Sequence, residues 1–186
     1  MTKTALIIID LQNDYFADGK FPLVGIDEAT QTAAHILSAA RTAGDLVIHI
    51  RHESAPGEDA PFFLAGTQGA EIHDQVKPLA DEIVVTKQQI NAFLGTNLQD
   101  VLKQNAISNV TIIGAMSHMC VDAAVRAASD LGFTTTVVHD AVATRDMEFG
   151  ETTVPAKAVH AAFMAALAFG YANVVSSEDY LKAEPA

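Results

Sequence analysis

Six short runs rich in Val, Ile and Thr recur along the chain, at 5–9, 46–50, 82–86, 110–115, 134–139 and 172–175, and each predicts a strand. Most are nearly continuous apolar stretches, as in Leu6-Ile7-Ile8-Ile9. That is the pattern of strands covered on both faces in a parallel sheet. Between them the apolar period lengthens. Residues 26–43 carry Ala29, Ala33, Ile36, Leu37 and Ala40 on one helical stripe, with Asp27 as a candidate cap and Gly44 as the stop. Residues 97–105, 119–131 and 155–169 behave alike. Alternating strand and helix predicts an α/β sandwich with a mostly parallel sheet and right-handed crossovers. No linker or repeat divides the chain, so residues 1–186 are expected to form one domain. The stretch 52–78 breaks the rhythm with Pro56, Gly57, Pro61, Gly66, Gly69 and Pro78 around the pair Phe62-Phe63. It predicts a long loop whose phenylalanines either line an apolar pocket or fasten the loop to the core.

Composition narrows the class. With 49% hydrophobic and 18% charged residues among 186, the chain buries enough surface to offset its conformational entropy, which excludes disorder. A formal net charge of −12 argues against nucleic acid or an anionic membrane as partner, because phosphate binding needs clustered Lys and Arg. No stretch approaches the roughly 18 consecutive apolar residues of a membrane span. The first residues lack a basic region followed by an apolar core, so a cytoplasmic location is expected. The single cysteine, Cys120, forms no intrachain bridge and fits a reducing compartment.

In open α/β sheets, ligands bind beyond the carboxyl ends of the strands. Three polar residues stand there: Asp10 after the first strand, Lys87 after the third, and Cys120 a few residues past the fourth. Together they have the logic of nucleophile activation. A free thiol, with a pKa of about 8.5, is mostly protonated at neutral pH. A helix N-terminus and an ammonium favour its thiolate, and a carboxylate can take its proton. Taken singly, each has a plainer reading: Cys120 as a small buried apolar residue, Asp10 as a strand-end cap and Lys87 as a solvated lysine.

Local sequence adds a resemblance. The stretches Ile8-Ile9-Asp10-Leu11-Gln12-Asn13-Asp14-Tyr15-Phe16, Lys87 with Asn91-Ala92-Phe93 and Thr96-Asn97-Leu98, and Gly114-Ala115-Met116-Ser117-His118-Met119-Cys120-Val121, with Asp140-Ala141 and His160 further on, resemble the isochorismatase-like cysteine hydrolases. That family includes nicotinamidases and N-carbamoylsarcosine amidases. The resemblance implies a three-layer, Rossmann-like α/β/α sandwich with a six-stranded parallel sheet in the order 3-2-1-4-5-6. It also implies a triad in which Asp10 is the base, Lys87 supports the thiolate and Cys120 forms a thioester acyl-enzyme. A cis peptide is implied at Ala115-Met116, with the backbone N–H groups of Met116 and Cys120 as the oxyanion hole. In that sheet order Lys87 lies two strands from Asp10, roughly 10 Å at the usual strand spacing, so it must arch over strand 2.

Amide or related acyl chemistry on a small molecule follows, since relatives that hydrolyse vinyl ethers lack the cysteine. Nicotinamidase-like relatives bind a metal through an Asp-x-His pattern after strand 2, but here Ile50 stands two residues before His52. No metal or other cofactor is expected, although His52, Glu53 and His73 could still gather round zinc. Tyr15, Phe16, Phe62, Phe63, Asn91 and His118 are the candidate pocket residues, and His160 reads as a packing or interface residue. Alanine-rich helices and the habit of such relatives predict a homo-oligomer, a dimer or larger. A non-catalytic small-molecule binding or regulatory protein on the same fold is the other reading. A dinucleotide-binding oxidoreductase lacks its G-x-G-x-x-G, since Asp10-Leu11-Gln12-Asn13 follows strand 1.

Overall fold

The most apolar run of the chain forms the central strand. Residues 5–9 of β1 (Lys3–Ile9) are all but inaccessible, because β1 is flanked on both edges and covered on both faces. The computed structural model describes residues 3–54 and 60–183. Along it run α1 (Ile26–Ala43), β2 (Leu46–His52), β3 (Ile83–Lys87), α2 (Leu98–Gln104), β4 (Ile107–Ala115), α3 (Asp122–Asp130), β5 (Thr134–Ala143), β6 (Met147–Phe149), β7 (Thr152–Val154), α4 (Ala156–Gly170), β8 (Asn173–Val175) and α5 (Ser177–Ala183). The sheet is six-stranded in the order β3-β2-β1-β4-β5-β8, with every neighbouring pair parallel. β8 is the sixth strand expected at 172–175, so the predicted order stands. The antiparallel hairpin β6-β7 and helix α5 had no forecast; both are too short and polar to show a period.

Alternation along β1 divides the core. Leu6 and Ile8 pack on one face with the buried stripe of α1 and Tyr180 of α5. Ala5, Ile7 and Ile9 pack on the other with Leu98 and Leu102 of α2, Ala124, Val125 and Ala128 of α3, and Met164 and Leu167 of α4. This is the three-layer sandwich. α1 ends on Gly44 in the left-handed region, as forecast. Its cap is not Asp27, however. Gly25 is the N-cap, and Asp27 lies inside the first turn with Glu28, where its charge favours the helix dipole.

Two further departures bear on function. The helix expected over 119–131 is preceded by a π turn, Ser117–Val121, closed by a bond from Val121 N to the Met116 carbonyl at 3.2 Å. The extra residue in that turn places Cys120 inside it. Strand β5 outruns its forecast and bulges, pairing Ile112 with Val137 but Gly114 with Val142. Asp140, in the bulge, accepts bonds from Ser177 N and Oγ at 2.8 and 2.6 Å, so it anchors the start of α5.

Between β2 and β3, where a long loop was expected, the described residues form two 3₁₀ turns, Gln68–Ala70 and Asp74–Val76. Pro56 and Gly57 lie outside the described residues. Among the described residues no helix is long and apolar enough to cross a membrane.

The far edge of β2 is tied to α1 through Glu82, which accepts from Arg41 Nε at 2.7 Å and Leu79 N at 2.8 Å and lies 3.0 Å from His49 Nε2. Chiefly through Arg41, the Glu82 carboxyl is held at about 2, below its ordinary 4.5. A carboxylate with a depressed folded pKa stabilises above its unfolded pKa and loses that contribution as the pH falls. The stability gap between wild type and Glu82→Gln, followed by thermal unfolding, is therefore widest at pH 6 and narrows as the pH falls from 4.5 towards 2. A gap constant over that range contradicts the assignment.

Candidate active site

Sheet order and register bring the three strand-end residues together. β1 lies beside β4 with Ile9 opposite Gly114, so Asp10 and the turn carrying Cys120 leave adjacent strands at the same level. The approach is close: a Cβ on Gly114, whose φ is 124°, would run into the Ile9 carbonyl. Asp10 itself is left-handed at φ 51°, a conformation aspartate tolerates better than most residues, and its N–H donates to the Ile50 carbonyl at 3.1 Å. Lys87 ends β3 opposite His52 of β2. It does arch over the end of strand 2, and the ammonium meets Asp10 Oδ2 at 2.9 Å and Cys120 Sγ at 3.2 Å. The peptide Ala115-Met116 is cis.

All three side chains are shielded from solvent: Asp10 is 0% exposed, Lys87 1% and Cys120 5%. Burial works against the Lys87 charge, but Asp10 and then Cys120 more than offset it and hold its pKa above the ordinary lysine value. Burial, and next the Asp10 charge, push the Cys120 thiol well above its ordinary range, with Lys87 offsetting only part of this. The site therefore sets a thiol whose pKa is raised beside the Asp10–Lys87 ion pair. Asp10 Oδ1 is buried with no hydrogen-bond partner among the described residues. The Cys120 thiol lies against this carboxylate, which is the proton acceptor within its reach.

The candidate pocket residues divide. Tyr15 is buried, and burial, followed by the nearby Asp10 charge, holds its hydroxyl well above the ordinary tyrosine pKa. Phe63 sits between Tyr15 and His52, with ring centroids 4.6 and 6.0 Å away, so the β2–β3 loop lies against the site. Its backbone, at φ 57°, is pinned by its N–H donating to Asp14 Oδ2 at 2.7 Å, and Gly69 leaves the room that the Asp14 carboxylate fills. Phe62 is half-buried and stacks on Phe21 at 4.4 Å. Phe16 stacks on His73 at 3.8 Å. Phe16 and His73 line a separate cavity of about 490 Å³ with Asp14 and Lys20. Asn91 Oδ1 accepts from Phe93 N at 3.0 Å in a local turn. His118 Nδ1 meets Thr144 Oγ1 at 2.7 Å, and His160 Nδ1 of α4 meets Ser117 Oγ of the π turn at 2.8 Å.

His52, Glu53 and His73 do not gather. Glu53 pairs with Arg51 at 3.1 Å, and His73 Nδ1 accepts from Gln75 N at 3.4 Å. A different donor set forms instead, with atoms of Asp10, His52 and Cys120 all within 4.8 Å of one another. Lys87 Nζ stands 2.9, 2.8 and 3.2 Å from these three residues. The chain's own ammonium thus takes the place of a cation, and these residues do not fit a resident metal. His52 is the neighbour that sequence reasoning passed over as part of the site. The signal was available, since a lysine crossing strand 2 to reach strand 1 must pass the last residue of strand 2.

A doubly wound sheet with such a cluster at its switch point defines a class of hydrolase folds, and the comparisons narrow it. The Isochorismatase domain family matches residues 4–179. An uncharacterized isochorismatase family protein, YddQ of Bacillus subtilis, is 44% identical over 96% of this chain and 99% of its own. The maleamate amidohydrolase of Pseudomonas putida is 32% identical over 77% and 73% of the two chains. The crystal structure of a proposed isochorismatase hydrolase from Oleispira antarctica superposes with a TM-score of 0.93 at 50% identity, covering 97% of each chain. The chain belongs to the isochorismatase family.

Proposed function

We propose that the protein hydrolyses an amide-type C–N bond of a small molecule through a thioester on Cys120. The observation that carries this reading is the contact of thiol, carboxylate and ammonium in one buried cluster, with Asp10 Oδ1 left as an acceptor. The maleamate amidohydrolase among the relatives supports the bond type.

In the resting state the thiol is neutral, so attack and proton transfer are coupled. Sγ bonds to the carbonyl carbon while its proton passes to Asp10, and Lys87 stabilises the sulfur as its charge develops. The N–H groups of Met116 and Cys120 receive the oxyanion. Asp10 then hands the proton to the departing nitrogen as the C–N bond breaks. In the second half, Asp10 takes a proton from water, hydroxide adds to the thioester, and the acid leaves as the proton returns to sulfur. Tyr15 and Phe63 form the wall beside the acyl group. No step draws on a cofactor, and the lone thiol suits the reducing cytoplasm.

A panel of small amides, maleamate included, tests the reading by ammonia release. Wild type turns over at least one, while Cys120→Ala and Asp10→Asn each lose on the order of a thousandfold or more in kcat. Equal release by wild type and Cys120→Ala contradicts the mechanism. Thermal stabilisation by an amide with no release of product favours the binding-protein reading. Self-association belongs to the same proposal, since Phe169 on α4 and Phe149 on the β6-β7 hairpin stand 95% and 87% exposed. Light scattering should give a multiple of the 19.7 kDa chain mass, and a mass of one chain at micromolar concentration contradicts it.

A further inference from the structure

Lys87 Nζ has more acceptors than protons to give. Asp10 Oδ2 lies at 2.9 Å, His52 Nδ1 at 2.8 Å, the Gln89 carbonyl at 3.1 Å and Cys120 Sγ at 3.2 Å, whereas an ammonium carries three N–H bonds. Because an ammonium only donates, Nδ1 of His52 must accept. The ring is then neutral and carries its proton on Nε2. A second constraint fixes where that ring stands. The Gln12 side chain, fully buried, holds the His52 backbone from both sides: its Nε2 donates to the His52 carbonyl at 2.8 Å, and its Oε1 accepts from His52 N at 2.8 Å. The same Nε2 donates to the Ala70 carbonyl at 2.8 Å, which ties the covering loop into the clamp.

We propose that His52 is a positioning residue for Lys87, a neutral acceptor that holds the ammonium in place while the charges of Asp10 and Cys120 exchange. The inference rests on the mechanism above. As the thiol proton moves to Asp10, the carboxylate becomes a weaker acceptor and the sulfur a stronger one, so an N–H of Lys87 turns from Asp10 towards Sγ. His52 and the Gln89 carbonyl keep their charge throughout. They hold the other two N–H bonds, so the ammonium pivots rather than leaving. A ring that only packed against Phe63 would have no such requirement for an acceptor at Nδ1.

The test needs no substrate, because Cys120 is the single cysteine and its alkylation by iodoacetamide reports the thiolate that Lys87 stabilises. At pH 8, His52→Leu is expected to react about tenfold or more slowly than wild type, equivalent to a rise of about one unit in thiol pKa. His52→Asn places an amide oxygen near the position of Nδ1 and should restore the rate to within about threefold. In the wild-type protein, nitrogen-detected NMR should show His52 with its proton on Nε2, and Lys87→Met should move its titration upward by removing the adjacent cation. A His52→Leu rate equal to wild type, no rescue by Asn, or a His52 proton on Nδ1 overturns the proposal. The NMR arm decides should the leucine variant not fold. Failure of the amide panel alone would count against the proposed reaction and leave the His52 contact standing.

Discussion

A lysine ammonium that is 1% exposed is the constraint around which the rest of this molecule is arranged. Desolvating such a charge costs several kcal/mol unless partners replace the lost water. Here the partners come from the residue after β1, the end of β2, the segment after β3 and the turn after β4. Only the Gln89 carbonyl is local; Asp10, His52 and Cys120 are each more than thirty residues away, so the site forms only once the sheet has assembled in its β3-β2-β1-β4 order. The lysine also crosses one strand to reach its partners, which makes the end of β2 part of the site. Folding and chemistry thereby share one requirement: the carboxyl ends of four strands must register at the same level.

That shared requirement explains several local features. Gly114 lets β4 press against β1 without a side chain between them. The left-handed Asp10 turns its carboxylate out of the strand direction and into the cluster. The π turn at Ser117–Val121 sets Cys120 at the start of the helical stretch that continues as α3, where the dipole favours negative charge on sulfur. Asp14 and Gln12 do not touch the reacting atoms. They fasten the β2–β3 loop and the His52 backbone instead, which explains why the run from Asp10 to Asp14 holds so many polar residues with so little exposure.

Much of this was legible in the sequence. Near-continuous apolar runs marked β1, β2 and β4, which are buried on both faces, and Val, Ile and Thr enrichment marked β3, β5 and β8 nearer the edges of the sheet. Residues at strand ends pointed to Asp10, Lys87 and Cys120, since topology confines chemistry to that edge. What the pattern did not carry was detail set by tertiary contacts. The π turn is invisible to helical periodicity, the β6-β7 hairpin has no alternation to read, and Asp27 looked like a cap because Gly25 caps without a side chain. His52 was read as a metal candidate because type and spacing alone do not show that an ammonium already fills the space between donors. Phe16 and Phe62 looked like equals of Phe63, but only Phe63 reaches His52, whereas Phe62 stacks on Phe21 behind it and Phe16 stacks on His73.

Covalent acyl transfer to one sulfur is the central step of the proposed reaction. Intact-mass measurement after rapid acid quench, on protein mixed with an amide it hydrolyses, tests that most directly. The expected result is an adduct equal to the acyl group, located on Cys120 by peptide mapping, released by hydroxylamine and absent from Cys120→Ala. Turnover of the same amide with no adduct at any quench time, or an adduct that persists in Cys120→Ala, would contradict it.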